Sequence, residues 1–132
     1  MVAIFSIKPQ YVSKILSGTK RVEYRRIKCA NPIEKILIYS TSPVSRIVGE
    51  VSIIDVLVDS VASIWESTKE YAGLNYEEYA HYYRGKKGAV AYVLSNPIKY
   101  SSSLTLTDIG IIRAPQSFCY LANHNLTPTV IS

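Results

Sequence analysis

The chain has 132 residues, 48% of them hydrophobic, which suits one compact domain with a real core. No apolar run approaches the ~20 residues of a membrane span, and Met1–Ile7 is too short for a signal peptide and meets Lys8-Pro9 at once. The net charge of +5 is concentrated: residues 1–35 hold eight cations against two carboxylates and the remainder is close to neutral. Such a local excess suits a polyanion, nucleic acid above all, and also suits plain solubility.

Val2–Ile7 is a short apolar run and reads as a buried first strand. Pro9 suits the first position of a helix, Pro9–Leu16, with Val12, Ile15 and Leu16 on one face and Gly18 as its left-handed stop. Thr19–Arg26 reads as a second strand, with Lys20, Val22, Tyr24 and Arg26 on one side and Arg21, Glu23 and Arg25 on the other. Residues 27–33 form a connector, Glu34–Ser40 a third strand, and Thr41–Val44 a turn rich in hydroxyls. Ser45–Asp59 is β-branched and reads as a long strand, with Gly49 marking a bulge or bend.

Asp59-Ser60 caps a helix expected to run to about Ala72, with Val61, Ile64, Trp65 and Thr68 buried and Gly73 as its stop. Asn75 caps a shorter helix, Tyr76–Arg84, on which Tyr76, Tyr79 and Tyr83 make a packing stripe and Tyr82 stands off it. A basic turn, Gly85–Gly88, precedes a strand over Gly88–Asn96 that Pro97 closes, with Ile98–Tyr100 as an extension past a bulge. A loop at Ser101–Ser103, a capped turn over Thr107–Gly110 and a last strand, Gln116–Leu121, complete the domain, 1–121. Residues 122–132 read as a tail. Strands dominate, glycines fall at strand bends and helices are inserted between strands. The order fits an α+β domain built on a small, partly closed, mostly antiparallel β-barrel better than a doubly wound sheet.

Cys29 and Cys119 have no metal-ligand spacing and read as reduced thiols of a cytoplasmic protein, and Cys119, between two aromatics, as a buried one. No metal or cofactor is expected. His81 and His124 are given no role. Function concentrates instead in Gly18-x-Lys20-x-x-Glu23-x-Arg25. A carboxylate between cations stays ionised and anchors donors. Lys20 can hold a phosphate as a point charge, and Arg25 can grip one through two donors. Against this stands a surface strand with interspersed charges. Ser6 and Lys8, at the end of the first strand, are positioned to face the same cleft. Ser40, Thr41 and Ser42 form a turn able to hold a phosphate or merely cap itself, and Gln116 and Ser117 can read a base edge or serve the ladder. Tyr82 is the stacking candidate among the eleven tyrosines.

This Gly-x-Lys-x-x-Glu-x-Arg motif after a short helix resembles the signature of the ASCH domains, a branch of the PUA-like superfamily. Phe5–Tyr11, Leu37–Pro43, Ile47–Glu50, Ile64–Glu66, Tyr82–Gly85 and Pro115–Tyr120 are similar to further parts of that family, in order, across residues 2–121. The resemblance implies a small β-barrel with a cleft for RNA or a nucleotide-like ligand, lined by Gly18, Lys20, Glu23 and Arg25. One branch is similar to an amidohydrolase that removes an acyl group from modified cytidine. Lys20 takes its lysine position, whereas Glu23 stands where that branch has threonine.

Three functions are the expectations. The first is an RNA- or nucleotide-binding module in RNA metabolism or transcription-related regulation. The second is a hydrolase acting on a modified nucleoside or RNA: an amidohydrolase with Lys20 as base and Glu23 orienting water, or a metal-free ribonuclease in which Glu23, Lys20 and Arg25 supply a base and a phosphate clamp. The third is a protein-interaction domain, which a flat surface at Lys20 would favour.

Overall fold

The computed structural model of the chain describes residues 1–121. The expected tail, 122–132, lies outside the described residues. One six-stranded sheet forms the frame, in the order β2-β5-β4-β3-β1-β6. Its strands are β1 (Val2–Ile7), β2 (Val22–Arg25), β3 (Lys35–Ser40), β4 (Arg46–Ser60), β5 (Gly88–Leu104) and β6 (Phe118–Leu121). β1 and β3 run parallel, and the other four pairs are antiparallel. No helix among the described residues is long and apolar enough to cross a membrane.

Hydrophobic content explains why β1 and β3 lie inside the sheet. Ala3, Ile4, Phe5, Ile36, Leu37 and Ile38 have no exposed surface, as strands covered on both faces require. Phe5, Ile36 and Ile38 belong to the core beneath the first helix, α1 (Pro9–Ser17), while Ile4 and Leu37 face a second core with Ile47 and Tyr100. Pro9 opens α1, and Gly18 closes it at φ +85°, its N–H donating to the Ile15 carbonyl.

β2 is shorter than its alternation suggests. The Lys20 N–H donates to the Lys14 carbonyl and the Arg21 N–H to the Tyr71 carbonyl. These amides serve the end of α1 and the segment after the second helix, so the strand proper starts at Val22. β5 is longer than expected. Asn96 and Pro97 fall between Ser95, opposite Ser52, and Ile98, opposite Glu50. Asn96 takes φ +54° there, and the bulge carries the strand past a proline that has no ladder bond to lose. The bend at Gly49 sits at another register shift. A methyl group there would collide with the Ile98 carbonyl.

The second helix, α2 (Val61–Thr68), is capped by Ser60 and passes into a tight 3-10 turn over Lys69–Tyr71 instead of continuing to Ala72. The third, α3 (Tyr76–Tyr82), ends two residues earlier than expected. Its start carries a capping box: Asn75 accepts from the Glu78 N–H, and the Glu78 side chain accepts from the Asn75 N–H. Tyr79 and Tyr83 are buried, whereas Tyr76 is 58% exposed, so the expected stripe of three is a pair. Trp65 is half-buried against Tyr76 and Tyr79.

The expected barrel does not close. Among the described residues β2 and β6 are the two ends of the sheet order, and no ladder joins them. Arg25 spans the gap: one terminal nitrogen donates to the Ser117 carbonyl and hydroxyl (3.2 and 2.9 Å), the other to the Ser6 carbonyl (3.0 Å). A further free edge lies along β4. β3 pairs with it only as far as Ser52, so residues 54–60 have β5 on one side and, among the described residues, no strand on the other. There the Val56 and Ser60 N–H groups donate to the carboxylates of Asp55 and Asp59.

Candidate functional site

The gap between the sheet edges opens into a cleft of about 870 Å³, walled by β2, the start of α1, α3 and the residues before β6. Lys20 lies at its base. The side chain is 2% exposed, and its ammonium donates to the Ala72 carbonyl at 2.7 Å. Two aromatic rings flank it, Tyr24 with its centroid 4.9 Å from Nζ and Tyr11 at 5.4 Å. Cation–π attraction steadies the charge, but it does not replace lost hydration. Burial lowers the pKa to about 8, with Lys14 and Arg25 pushing the same way and Glu23 and Glu78 opposing.

Glu23 and Arg25 share a face of β2, as alternation requires. Nε and one terminal nitrogen of Arg25 both donate to Oε2 of Glu23, at 3.1 and 2.7 Å, and the pair is about nine-tenths buried. The guanidinium also sits 4.5 Å above the Phe5 ring. Among the described residues no donor reaches Oε1 of Glu23, and no buried side-chain atom lacks a partner, so Oε1 is an accessible acceptor on the cleft wall. Arg25 is already committed to Glu23, Ser117 and Ser6. Its role is to fix that acceptor and the sheet edges.

The opposite wall comes from α3. Glu78 accepts from the Tyr11 hydroxyl at 2.9 Å through one carboxylate oxygen and from the Asn75 N–H through the other. Burial first, then the Glu78 carboxylate, pushes the Tyr11 pKa up to about 12, so the phenol stays neutral. At the other end of α3 the Arg26 guanidinium stacks on the Tyr82 ring at 4.2 Å, and Nε and Nη2 both donate to the Tyr82 carbonyl. Nη1 has no acceptor among the described residues.

Eight of the twelve residues singled out in the sequence line this cleft. Besides Lys20, Glu23, Arg25 and Tyr82 they are Ser6, Lys8, Gln116 and Ser117. Ser6 donates its hydroxyl to the Pro115 carbonyl at 2.6 Å, which ties β1 to the last wall of the cleft. Gly18, Ser40, Thr41 and Ser42 do not line it. Gly18 borders a separate hollow of about 240 Å³ on the other side of Lys20. Ser40 is buried at the end of β3, and Thr41 donates its N–H to the Ile7 carbonyl, which closes the turn on β1 rather than on the cleft. Sequence reasoning missed Tyr11, Glu78 and Arg26. Tyr11 stands one residue off the core face of α1, and Glu78 is the third residue of a capped helix; both looked local until the fold brought their side chains to 2.9 Å. Cys119 is half-buried, and burial raises its pKa, which makes a nucleophile of it no more apt. The site is concave, unlike the flat surface that the interaction reading calls for.

A family model described as the ASCH domain matches residues 5–102. The chain belongs to the ASCH domain family. A curated protein named ASCH domain-containing ribonuclease, from Zymomonas mobilis, is 31% identical to it over 126 residues, 90% of this chain and 83% of that protein. A Ureaplasma parvum protein named ATP synthase subunit alpha is 29% identical over 119 residues; this ASCH domain spans 89% of its own length there but only 15% of that protein. Among solved structures, the crystal structure of ASCH from Zymomonas mobilis superposes with a TM-score of 0.89 and 25% identity, covering 98% of this chain and 93% of that one.

Proposed function

We propose that this ASCH domain binds RNA or a nucleotide-like ligand in the cleft above Lys20. The observation that carries the reading is the convergence of three unlike groups: a buried ammonium, an accessible carboxylate oxygen on Glu23 held in place by Arg25, and the half-buried Tyr82 ring. A nucleotide presents the complement of each. Its phosphate suits Lys20, an exocyclic amino group suits Glu23, and the base plane suits an aromatic wall. Fluorescence polarisation with a mixed-sequence RNA pool at low and raised salt tests it. Affinity is expected to fall with salt and to drop at least tenfold in Lys20→Met. No binding to any RNA, DNA or nucleotide at low salt would sink the reading.

A second reading, RNA hydrolysis, is favoured by the lowered Lys20 pKa together with the relative named a ribonuclease. At pH 7 about a tenth of such a lysine is a free amine, ready to act as a general base. It takes the proton of a ribose 2′-hydroxyl as that oxygen attacks the adjacent phosphorus. The P–O5′ bond breaks, and the departing oxygen takes a proton from water. Cleavage of a labelled RNA is then expected to rise with pH to a plateau above about 8 and to vanish in Lys20→Met. A profile flat between about pH 6.5 and 9 removes Lys20 as the base. Glu23, where the acyl-removing branch has threonine, is tied to Arg25 and serves here as an acceptor.

A further inference from the structure

The cleft has a polarity. Glu77 and Glu78 stand at the α1 end of α3, and Arg26 and His81 stand at the other. An anionic strand longer than one nucleotide therefore meets two carboxylates at the first end, with Lys14 close to Glu78, and the Arg26 guanidinium at the other. Arg26 is held there over the Tyr82 ring by its bonds to the Tyr82 carbonyl, with Nη1 free among the described residues.

Three more cations continue outward from Arg26. In the β2–β5 pair Arg25 lies opposite Val90, and the Arg26 side chain is bonded to the Tyr82 carbonyl, so Arg26 stands beside the turn that leads from α3 into β5. That turn carries Arg84, Lys86 and Lys87, all exposed. It is ordered by its own bonds: Arg84 N–H to the His81 carbonyl, Lys86 N–H to the Tyr83 carbonyl, and the Val61 N–H to the Lys87 carbonyl. The buried Tyr83 hydroxyl, bonded to the Arg25 and Val90 carbonyls, locks the end of α3 to β2 and β5. None of the four cations forms an ion pair with a described carboxylate. Asp59, opposite Ala89 at the start of β5, has its carboxylate on the Ser60 N–H.

We propose that a single-stranded nucleic acid seated in the cleft leaves it over Arg26 and crosses Arg84, Lys86 and Lys87, which hold its phosphates. This rests on the nucleotide-binding reading of the cleft and adds the direction of the strand and a second contact region. Unpaired cations on a fixed turn suit the sequence-independent backbone of such a strand.

Polarisation binding of the whole chain to a mixed mononucleotide probe and to a mixed-sequence single-stranded RNA of ten nucleotides tests the track. The parent is expected to bind the ten-mer more tightly. Arg84→Ala/Lys86→Ala/Lys87→Ala is expected to match the parent on mononucleotide and to lose at least tenfold on the ten-mer, with a salt slope lower by about 0.7 per phosphate contact removed. A control, Lys69→Ala/Lys99→Ala/Arg113→Ala, removes the same charge from exposed positions elsewhere and is expected to lose less than threefold. Equal losses in both triples, or an unchanged ten-mer affinity in the first, overturn the track and leave the cleft reading standing. A parent that binds neither probe overturns both.

Discussion

A buried lysine with a pKa near 8 leaves a trace in stability as well as in chemistry. Its folded pKa lies below the ordinary value of 10.5, so below pH 8 the fold carries the full cost of a charged, desolvated ammonium. Between pH 8 and 10.5 the unfolded chain binds the proton that the folded one releases, and this contribution makes stability rise with pH. Tyr11, with its pKa pushed up to about 12, works in the opposite sense from pH 10 upward, so the informative quantity is the difference from Lys20→Met. Urea denaturation at about pH 7 and pH 9.5 is expected to show the variant gaining less stability from the alkaline shift than the parent. Equal gains would mean that the ammonium is not desolvated. None of this was legible in the motif. Alternation assigns Lys20 to the face of Val22 and Tyr24, but its amide is bonded to Lys14 and strand geometry does not govern it.

The elements that local chemistry alone specifies came through from sequence: β1, the Pro9 start and Gly18 stop of α1, and the Asn75 cap of α3. Those that depend on distant partners did not. The late start of β2 needs Tyr71, far along the chain, and the passage of β5 through Pro97 needs the bulge against β4. Gly73 shows the difference best. It reads as a helix stop, and it does take φ +73°, but its lack of a side chain also makes room for the Lys20 stem, which a methyl group would strike at three carbons. Gly73→Ala is expected to cost about 1–2 kcal/mol for the left-handed backbone alone and to move Lys20 from the Ala72 carbonyl. The check is a double one, thermal denaturation together with ligand affinity. A variant that is less stable yet binds as the parent does would show that the glycine serves the turn and not the lysine.

At the scale of the whole molecule, an open sheet is drawn together by one arginine. Arg25 joins β2 to the end of β1 and the approach to β6 and is itself neutralised by Glu23. Arg25→Met leaves a buried carboxylate unpaired, and the expected loss is about 3–5 kcal/mol by urea denaturation. Glu23→Gln/Arg25→Met is expected to recover part of that loss, because no lone charge remains. A double variant no better than the single one would place the whole cost in the Ser6 and Ser117 bonds instead. The other open edge has the opposite treatment. Residues 54–60 of β4 expose Ile54 and Val58 beside unpaired backbone, which is what one protein molecule needs to recruit another by strand addition. Asp55 and Asp59 occupy two of the donors such a neighbour would require and place negative charge beside them. Asp55→Ala/Asp59→Ala is therefore expected to keep its fold and yet self-associate at concentrations where the parent elutes as a monomer in size-exclusion chromatography. Two carboxylates with no part in the cleft thus set how crowded a solution this protein tolerates before its molecules begin to join edge to edge.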